Sequence, residues 1–318
     1  MNRAVTPKLP FLLGAIIAIG PVSTDMYLPA FPQLAHDMQD QAAPQYSLAA
    51  YFLGLAVGQM TQGALSDRLG RRGPLLAGLV LFILASAGCV IAWNTPSLVV
   101  FRFLTALGAS AGLVIPRAMV RDLADGPAAA KMLSKLMLAM GLAPICAPMI
   151  GAVCVMFASW RFIFGLCTAY GVVALLCAWW LIPDTLPPAR RSRLGVGAVL
   201  VRYVEIFRER GFLTHAVINA CVAACLFAYL SGTPQIFEES FHWSSTGYAL
   251  LFGVNSLAYI GYSQLNPILV TRFGIAPVIT VMIIWQLVCT LLLVLLSILP
   301  FGGLPLSLIH ISEPTRPY

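Results

Sequence analysis

The chain has 318 residues, of which 59% are hydrophobic and only 10% are charged, and its formal net charge is +7. Soluble domains carry about 25% charged residues, so this composition excludes a water-soluble globular protein. The basic residues lie between apolar segments and not on one face, which fits membrane topology and argues against nucleic acid as a partner. The sequence therefore predicts an all-α integral membrane protein.

Apolar stretches of about 20 residues recur along the chain, and each is long enough to cross a ~30 Å hydrocarbon core as a helix. We predict nine membrane-spanning helices: 10–30, 46–66, 74–93, 97–120, 132–158, 161–183, 211–235, 246–268 and 275–299. The longer connections are a polar loop at 31–45 and an arginine-rich segment at 184–210. The first twenty residues also look like a signal peptide, but no small-residue cleavage site ends the apolar run.

The distribution of Lys and Arg sets the orientation, because these residues accumulate in cytoplasmic loops. If the N-terminus is cytoplasmic, most of the 19 Lys and Arg residues lie on the inner side and only Arg161 lies outside. We therefore expect a six-helix bundle over 1–183, a cytoplasmic linker over 184–210 and a partial second bundle over 211–304.

Few charged residues lie deep in the predicted spans, where each costs ~2.5–3.5 kcal/mol to insert. Asp25 in the first span and Arg102 in the fourth lie at the same predicted depth, near the outer ends of their helices. They could form an ion pair whose separation controls proton binding, or a static contact in which Asp25 caps a helix. Arg117 lies nearer the cytoplasm, where it could reach lipid phosphates or Asp122.

The loop after the second span reads Gly-Ala-Leu-Ser-Asp-Arg-Leu-Gly-Arg-Arg over 63–72. Gly63 would allow a neighbouring helix to approach, Gly70 a sharp turn, and Asp67 a contact with an arginine or a helix N-terminus. A merely basic loop would explain the arginines but not the glycines and the aspartate. The pattern resembles the signature of the major facilitator superfamily. The resemblance implies a conformational latch formed by Gly63, Asp67, Arg68, Gly70, Arg71 and Arg72.

Other segments resemble the Bcr/CflA drug-resistance branch of that superfamily: 23–30, 102–112, 117–122, 229–234 and 263–266. Thr105 stands where the branch more often has glutamine, so polar contacts near Arg102 should differ. The segment 141–151 resembles the fifth span of antiporters, and proline and glycine there favour bending and close packing. We therefore expect an antiporter-type hinge at four residues: Gly141, Pro144, Pro148 and Gly151.

The resemblance implies a monomeric, proton-coupled exporter of drug-like or amphipathic small molecules in the inner (cytoplasmic) membrane, driven by the proton gradient without a cofactor or metal. Asp25 and Arg102 would couple protons. Polar groups within apolar spans need partners, and a substrate pocket is expected from Tyr27, Tyr51, Gln59, Tyr229, Asn255 and Gln264. The same fold could instead import or exchange a small metabolite. An enzyme or a channel is disfavoured, because the histidines are scattered and no charged ring or selectivity filter is visible.

The eight cysteines all lie in apolar runs without CxxC spacing, so we expect packing residues and neither disulfides nor a metal site. Transporters of the family have twelve spans, whereas nine are predicted here. The tail 305–318 has neither membrane character nor family resemblance. We therefore expect a truncated second bundle followed by a non-native-looking tail, and an inactive fragment is a second alternative to export.

Overall fold

A computed structural model describes residues 9–192, 196–235 and 272–298, together with positions 247, 251, 254 and 269. All regular structure within these residues is helical, which confirms the predicted fold class. The helices are α1 Leu9–Ile17, α2 Ile19–Asp25, α3 Phe31–Met38, α4 Ala43–Leu69, α5 Arg72–Val90, α6 Thr95–Leu123, α7 Gly126–Phe157, α8 Trp160–Leu181, α9 Val196–Arg208, α10 Arg210–Gln235 and α11 Ile275–Ile298. Short 3-10 turns form at Leu28–Ala30 and Pro188–Arg190.

In the described part of the chain, four stretches are long and apolar enough to cross a membrane: Leu9–Met38, Arg72–Val90, Thr95–Leu123 and Trp160–Leu181. They coincide with the first, third, fourth and sixth predicted spans. Helices α4, α7, α10 and α11 lie where the second, fifth, seventh and ninth spans were predicted. The predicted span 246–268 falls almost entirely outside the described residues, and the tail 305–318 falls wholly outside them.

The prediction of a loop at 31–45 is wrong over most of its length. Helix α3 occupies Phe31–Met38 and ends at Gln39, whose left-handed backbone (φ 53°) reverses the chain before α4 begins. Leu34 and Ala35 are buried on one face of α3. The segment is therefore an amphipathic helix, whose polar residues gave it the composition of a loop.

The first predicted span is a broken helix. Helix α2 ends at Asp25, and the 3-10 turn Leu28–Ala30 separates it from α3. Gly151 of α7 lies against this break so closely that a Cβ atom there would overlap the carbonyl group of Met26. Asp25 therefore lies at the end of a helical segment inside the protein, next to the helix in which the hinge was predicted.

Helix α4 packs along α6, α5 packs on both α6 and α8, and α1 and α2 pack on α7. Glycine permits the closest of these approaches. A Cβ atom at Gly54 of α4 would overlap the carbonyl group of Phe103, and one at Gly108 of α6 would overlap the backbone of Phe82. These contacts hold α4 and α5 against α6, the helix that carries Arg102.

The chain divides into two compact units, residues 1–219 and 220–318. The predicted linker 184–210 lies in the first unit and contains the turn Pro188–Arg190 and α9. It is attached to α4, because the Ser192 N–H donates to the Asp67 carbonyl (2.8 Å) and the Tyr203 hydroxyl donates to the Met60 carbonyl (2.6 Å).

Candidate functional site

A fully buried arginine occupies the interior of the first unit. Arg102 of α6 is 0% exposed, and its Nη1 donates to the carbonyl and hydroxyl oxygens of Ser23 at 3.2 and 3.4 Å. Its Cζ lies 4.3 Å from the ring centre of Tyr51, 4.6 Å from that of Tyr27 and 5.4 Å from that of Phe164. We call these three rings the aromatic cage of Arg102. Each cation–π contact contributes roughly 0.5–2 kcal/mol.

Hydrogen bonds fix the two tyrosine rings of the cage. The Tyr27 hydroxyl donates to the Pro44 carbonyl (3.1 Å) and also hydrogen-bonds the Ser47 hydroxyl. The Tyr51 hydroxyl donates to the Gly20 carbonyl (3.1 Å). Residues from α2 and α4 thus position the rings around a guanidinium group supplied by α6.

The guanidinium group keeps one edge without a partner. Nε and Nη2 of Arg102 are both buried, and neither donates a hydrogen bond to any residue that the structure describes. An ionised group away from water is costly unless it is paired and hydrogen-bonded. Aromatic faces offset part of this cost, but they do not supply hydrogen-bond acceptors for Nε and Nη2.

Asp25 is buried as predicted, at 7% exposure, but it forms no ion pair with Arg102. Helical geometry explains the difference. Arg102 contacts Ser23, and Asp25 follows Ser23 by two residues in α2, a rotation of roughly 200° about the helix axis. The side chains of Ser23 and Asp25 therefore leave α2 on opposite sides. The predicted pair is absent from this conformation, whereas the proposed roles of both residues remain to be tested.

The other residues predicted for the substrate pocket are not gathered around this site. Tyr27 and Tyr51 belong to the aromatic cage, whereas Gln59 is exposed on α4. Tyr229 lies in α10, but its side chain is not described, and Asn255 and Gln264 lie outside the described residues.

The predicted hinge residues do not interrupt their helix, since α7 is continuous from Gly126 to Phe157. Gly141 and Pro144 lie within this continuous helix, Pro148 is buried, and Gly151 contacts the break after Asp25. Glycine at 151 is therefore required for close packing, as predicted, while the predicted breaks are absent. A hinge function of these four residues remains a prediction.

The latch predicted at 63–72 forms a charge network around Arg71. Nη1 of Arg71 lies 2.5 Å from Asp67 Oδ1, and Nε donates to Asp122 Oδ2 at 2.8 Å. Nη1 also donates to the Ser66 hydroxyl (2.9 Å). Burial by itself lowers the pKa of Arg71, but its hydrogen bonds and charge interactions with Asp122 and Asp67 outweigh burial and raise it. The network joins the α4–α5 loop to the end of α6.

A third carboxylate, which the sequence did not single out, completes this network. Asp184 follows α8 and accepts hydrogen bonds from the Arg71 N–H (2.9 Å) and from Nη2 of Arg191 (2.9 Å). It lies against Gly70, whose φ of 95° makes the predicted sharp turn and where a Cβ would overlap the Asp184 carboxylate. The sequence did contain a signal for Asp184. It is a carboxylate directly after a predicted span, on the same side of the membrane as the basic loop.

The remaining latch residues differ in their surroundings. Arg72 donates to the Trp179 carbonyl (2.5 Å), whereas Arg68 is exposed. Gly63 was expected to allow a close helix approach, but the nearest atom to a Cβ there is Val114 Cγ1, at an ordinary 3.9 Å. The close approach at Gly63 is therefore not present, and the contacts of the predicted latch are centred on Asp67, Gly70 and Arg71.

The comparisons with known proteins agree on one family. Residues 13–311 match the Major Facilitator Superfamily. An MFS-type transporter of Bacillus subtilis, YdgK, is 38% identical over 84% of this chain and 66% of its own length. A bicyclomycin resistance protein homolog of Haemophilus influenzae is 25% identical over 93% of this chain and 75% of its own length. The multidrug resistance protein MdtL of Shigella flexneri is 26% identical over 80% of this chain and 64% of its own length.

Solved structures share the fold at low sequence identity. The D-xylose-proton symporter superposes with a TM-score of 0.67 at 15% identity, over 95% of this chain and 79% of its own. The human organic anion transporter MFSD10 gives a TM-score of 0.58 at 18% identity, over 80% of this chain and 70% of its own. The chain spans 66% of the length of the Bacillus relative and 64% of that of MdtL. With a match over most of its residues, the chain belongs to the major facilitator superfamily, as a multi-pass transporter-type membrane protein.

Proposed function

We propose that this protein is a proton-coupled exporter of drug-like or amphipathic small molecules across the cytoplasmic membrane. The observation that carries the proposal is a buried carboxylate at a helix break, Asp25, in the same helical unit as the caged guanidinium group of Arg102. Intramembrane ionisable residues are the usual elements of proton relays in transporters. The names of two relatives, a bicyclomycin resistance homolog and a multidrug resistance protein, support drug-like compounds as the substrate class.

Asp25 would be the group that gains and loses the proton. It ends α2 beside a 3-10 turn, and Gly151 of α7 packs on that turn. A shift of α7 against the turn would change the access of water to the carboxylate, and hence its affinity for a proton. Arg102 would supply a fixed positive charge, held by Ser23 and the aromatic cage. Proton release and substrate release could then alternate in one unit, as exchange requires.

The latch would control which side of the membrane has access. Arg71 joins the α4–α5 loop to α6 through Asp122, and Asp184 joins the same loop to the segment after α8. Breaking these contacts would free the ends of several helices together. We place this end of the unit in the cytoplasm, with the N-terminus on the same side.

Dye transport into everted membrane vesicles from cells that produce the full chain tests the proposed function. When respiration acidifies the vesicle interior, an exporter should accumulate an amphipathic cationic dye, and a protonophore should abolish the accumulation. Asp25→Asn should abolish the pH-driven accumulation but leave dye binding unchanged, because the amide mimics the protonated carboxylate. The matched control is Asp40→Asn, which alters a carboxylate that accepts hydrogen bonds from the Ala42 N–H and the Thr95 hydroxyl.

Each outcome of this experiment has a definite meaning. Normal accumulation by the Asp25→Asn protein would place proton coupling at another residue. Accumulation in right-side-out vesicles only would indicate import and contradict the proposed direction. Loss of accumulation in the Asp40→Asn protein as well would show that the assay reports damage to the fold and not proton coupling.

A further inference from the structure

The free edge of Arg102 has the geometry of a carboxylate receptor. Nε and Nη2, the two donors without a partner among the described residues, lie on the same side of the planar guanidinium group. Arginine presents two parallel N–H groups of this kind when it binds a carboxylate with two hydrogen bonds. The third nitrogen, Nη1, is already held by Ser23. One complete two-donor edge is therefore available, not two scattered donors.

The surroundings of this edge are rigid and apolar. Tyr27, Tyr51 and Phe164 cover the guanidinium group and are themselves fully buried. Hydrogen bonds fix the two tyrosines, so the arginine cannot turn freely to find another partner. Away from water, a hydrogen bond between charged groups is stronger than it is at a surface. The site is thus preorganised for an anion with an apolar or aromatic body.

The described carboxylates of the protein do not fill this edge. Asp25 leaves α2 on the side opposite to Ser23, and it has no ion pair with Arg102. Asp67, Asp122 and Asp184 are engaged in the latch network around Arg71. Asp37 lies near Trp160 and Arg161 at the opposite end of the helices from that network. The positive charge of Arg102 therefore has no carboxylate partner in this conformation among the residues that the structure describes.

We infer that Arg102 binds the carboxylate of the transported compound, so that the substrates include amphipathic carboxylic acids in their anionic form. The inference rests on the proposed transport function and specifies its substrate class. A carboxylate fits better than a phosphate, because its two oxygens match the two free donors and leave no further negative oxygen without a partner. The aromatic cage would then contact the apolar part of the compound next to its carboxylate.

Binding of a matched pair of probes to the purified full chain tests this inference. The probes are 1-naphthylacetate, an anion at neutral pH, and 1-naphthylacetamide, a neutral compound of nearly the same shape. Equilibrium dialysis of the chain in neutral lipid nanodiscs, corrected with empty nanodiscs, gives both affinities. We expect the anion to bind about tenfold more tightly or better, the effect of hydrogen bonds to a charged group. Equal affinities for the two probes in the unmodified protein would overturn the inference without any variant.

Two arginine variants test whether Arg102 causes the preference for the anionic probe. Arg102→Lys keeps the positive charge but lacks the planar two-donor edge, so the preference for the anion should fall to near unity. Arg117→Lys is the control, because Arg117 lies on the same helix but contacts Met140 Sδ (3.1 Å) and not the aromatic cage. It should keep the preference. An unchanged preference in the Arg102→Lys protein would contradict the assignment.

The two proposals can fail separately. Proton-driven transport of the cationic dye without any preference for 1-naphthylacetate would sink the carboxylate site and leave the exporter. A clear preference without transport of the cationic dye would support the carboxylate site and contradict export of cationic compounds. A preference that emerges only in Asp25→Asn would also overturn the inference, because it would show that Asp25 itself occupies the free edge in the solution ensemble.

Discussion

A single guanidinium group poses the main energetic problem inside the first unit. The burial of an ion costs several kcal/mol even after relaxation. Arg102 recovers part of this through two contacts with Ser23 and three aromatic faces. Nε and Nη2 still lack a hydrogen-bond partner in the described part of the chain. An arrangement of this kind is poor as a stabilising device and is more easily understood as a site for an anion.

Substitutions of Tyr51 should separate the contributions of its hydroxyl group and of its ring to the stability of the protein. Tyr51→Phe removes the hydroxyl that donates to the Gly20 carbonyl but keeps the ring, and it should lower the free energy of unfolding by about 1 kcal/mol. Tyr51→Leu also removes the ring over Arg102 and should cost a further ~1–2 kcal/mol. Thermal unfolding in detergent, followed by circular dichroism, measures both changes. If the two variants unfold alike, the ring contributes nothing measurable to the burial of Arg102.

The sequence revealed which residues are buried at this site but not how they face one another. Asp25 and Arg102 were predicted from charge within apolar runs, and both are buried. Their mutual orientation depends on how α2 is rotated about its own axis. The predicted depth of a residue in the membrane does not give this rotation. Phe164 was not predicted because an aromatic residue in a predicted span looks like ordinary packing.

At the scale of the helices, several charged contacts hold the connection between α4 and α5. The Arg71 side chain is bonded to two carboxylates, Asp67 in the last turn of α4 and Asp122 at the end of α6. Asp184 adds contacts to the backbone of Arg71 and to Arg191. The segment 63–72 predicted a contact between Asp67 and an arginine and a sharp turn at Gly70, and both are present. It could not predict Asp184, because Asp184 comes from a segment more than a hundred residues later in the chain.

Two glycines of the segment 63–72, one in the loop and one in α4, provide a matched comparison. Gly70→Ala should destabilise the protein by roughly 1–3 kcal/mol, since alanine would adopt a positive φ of 95° and its Cβ would overlap the Asp184 carboxylate. Gly63→Ala should be neutral or slightly stabilising, because that position is helical and has room for a methyl group. Thermal unfolding of both variants decides the point. A larger loss of stability for Gly63→Ala than for Gly70→Ala would support the close helix approach predicted from the sequence and contradict the structure.

On the scale of the whole molecule, the helices follow from a simple requirement. A bilayer core offers no water to backbone polar groups, so each apolar segment must satisfy its own hydrogen bonds as a helix. Eight of the nine predicted spans coincide with described helices for this reason. The segment 31–45 escaped prediction because α3 buries only one face, and its polar residues resemble those of a loop.

The polar contacts of the first unit divide its helix ends into two sets. At one end, Gly70 lies against Asp184, and Ser192 is bonded to Asp67. At the other, the Thr95 hydroxyl donates to Asp40 (2.9 Å), and the N–H group of Trp160 donates to Gln33 (2.9 Å). The first set is rich in arginine, whereas the second carries Asp37 and Asp40. Because arginine accumulates on the cytoplasmic side, we expect the first set to be inside and the second outside.

Labelling of added cysteines with a membrane-impermeant maleimide tests this orientation in intact cells. Gln41→Cys and Ala189→Cys place a thiol at exposed positions of the two ends. Both thiols are added to a chain whose eight cysteines are replaced by serine, because Cys146, Cys221 and Cys225 are exposed. We expect Gln41→Cys to react with intact cells and Ala189→Cys to react only after permeabilisation, because the arginine-rich end should face the cytoplasm. The opposite pattern would invert the topology and place the Arg71 latch on the outer side. Reaction of both thiols in intact cells would show that positions 41 and 189 lie on the same, outer side and contradict the two-ended arrangement.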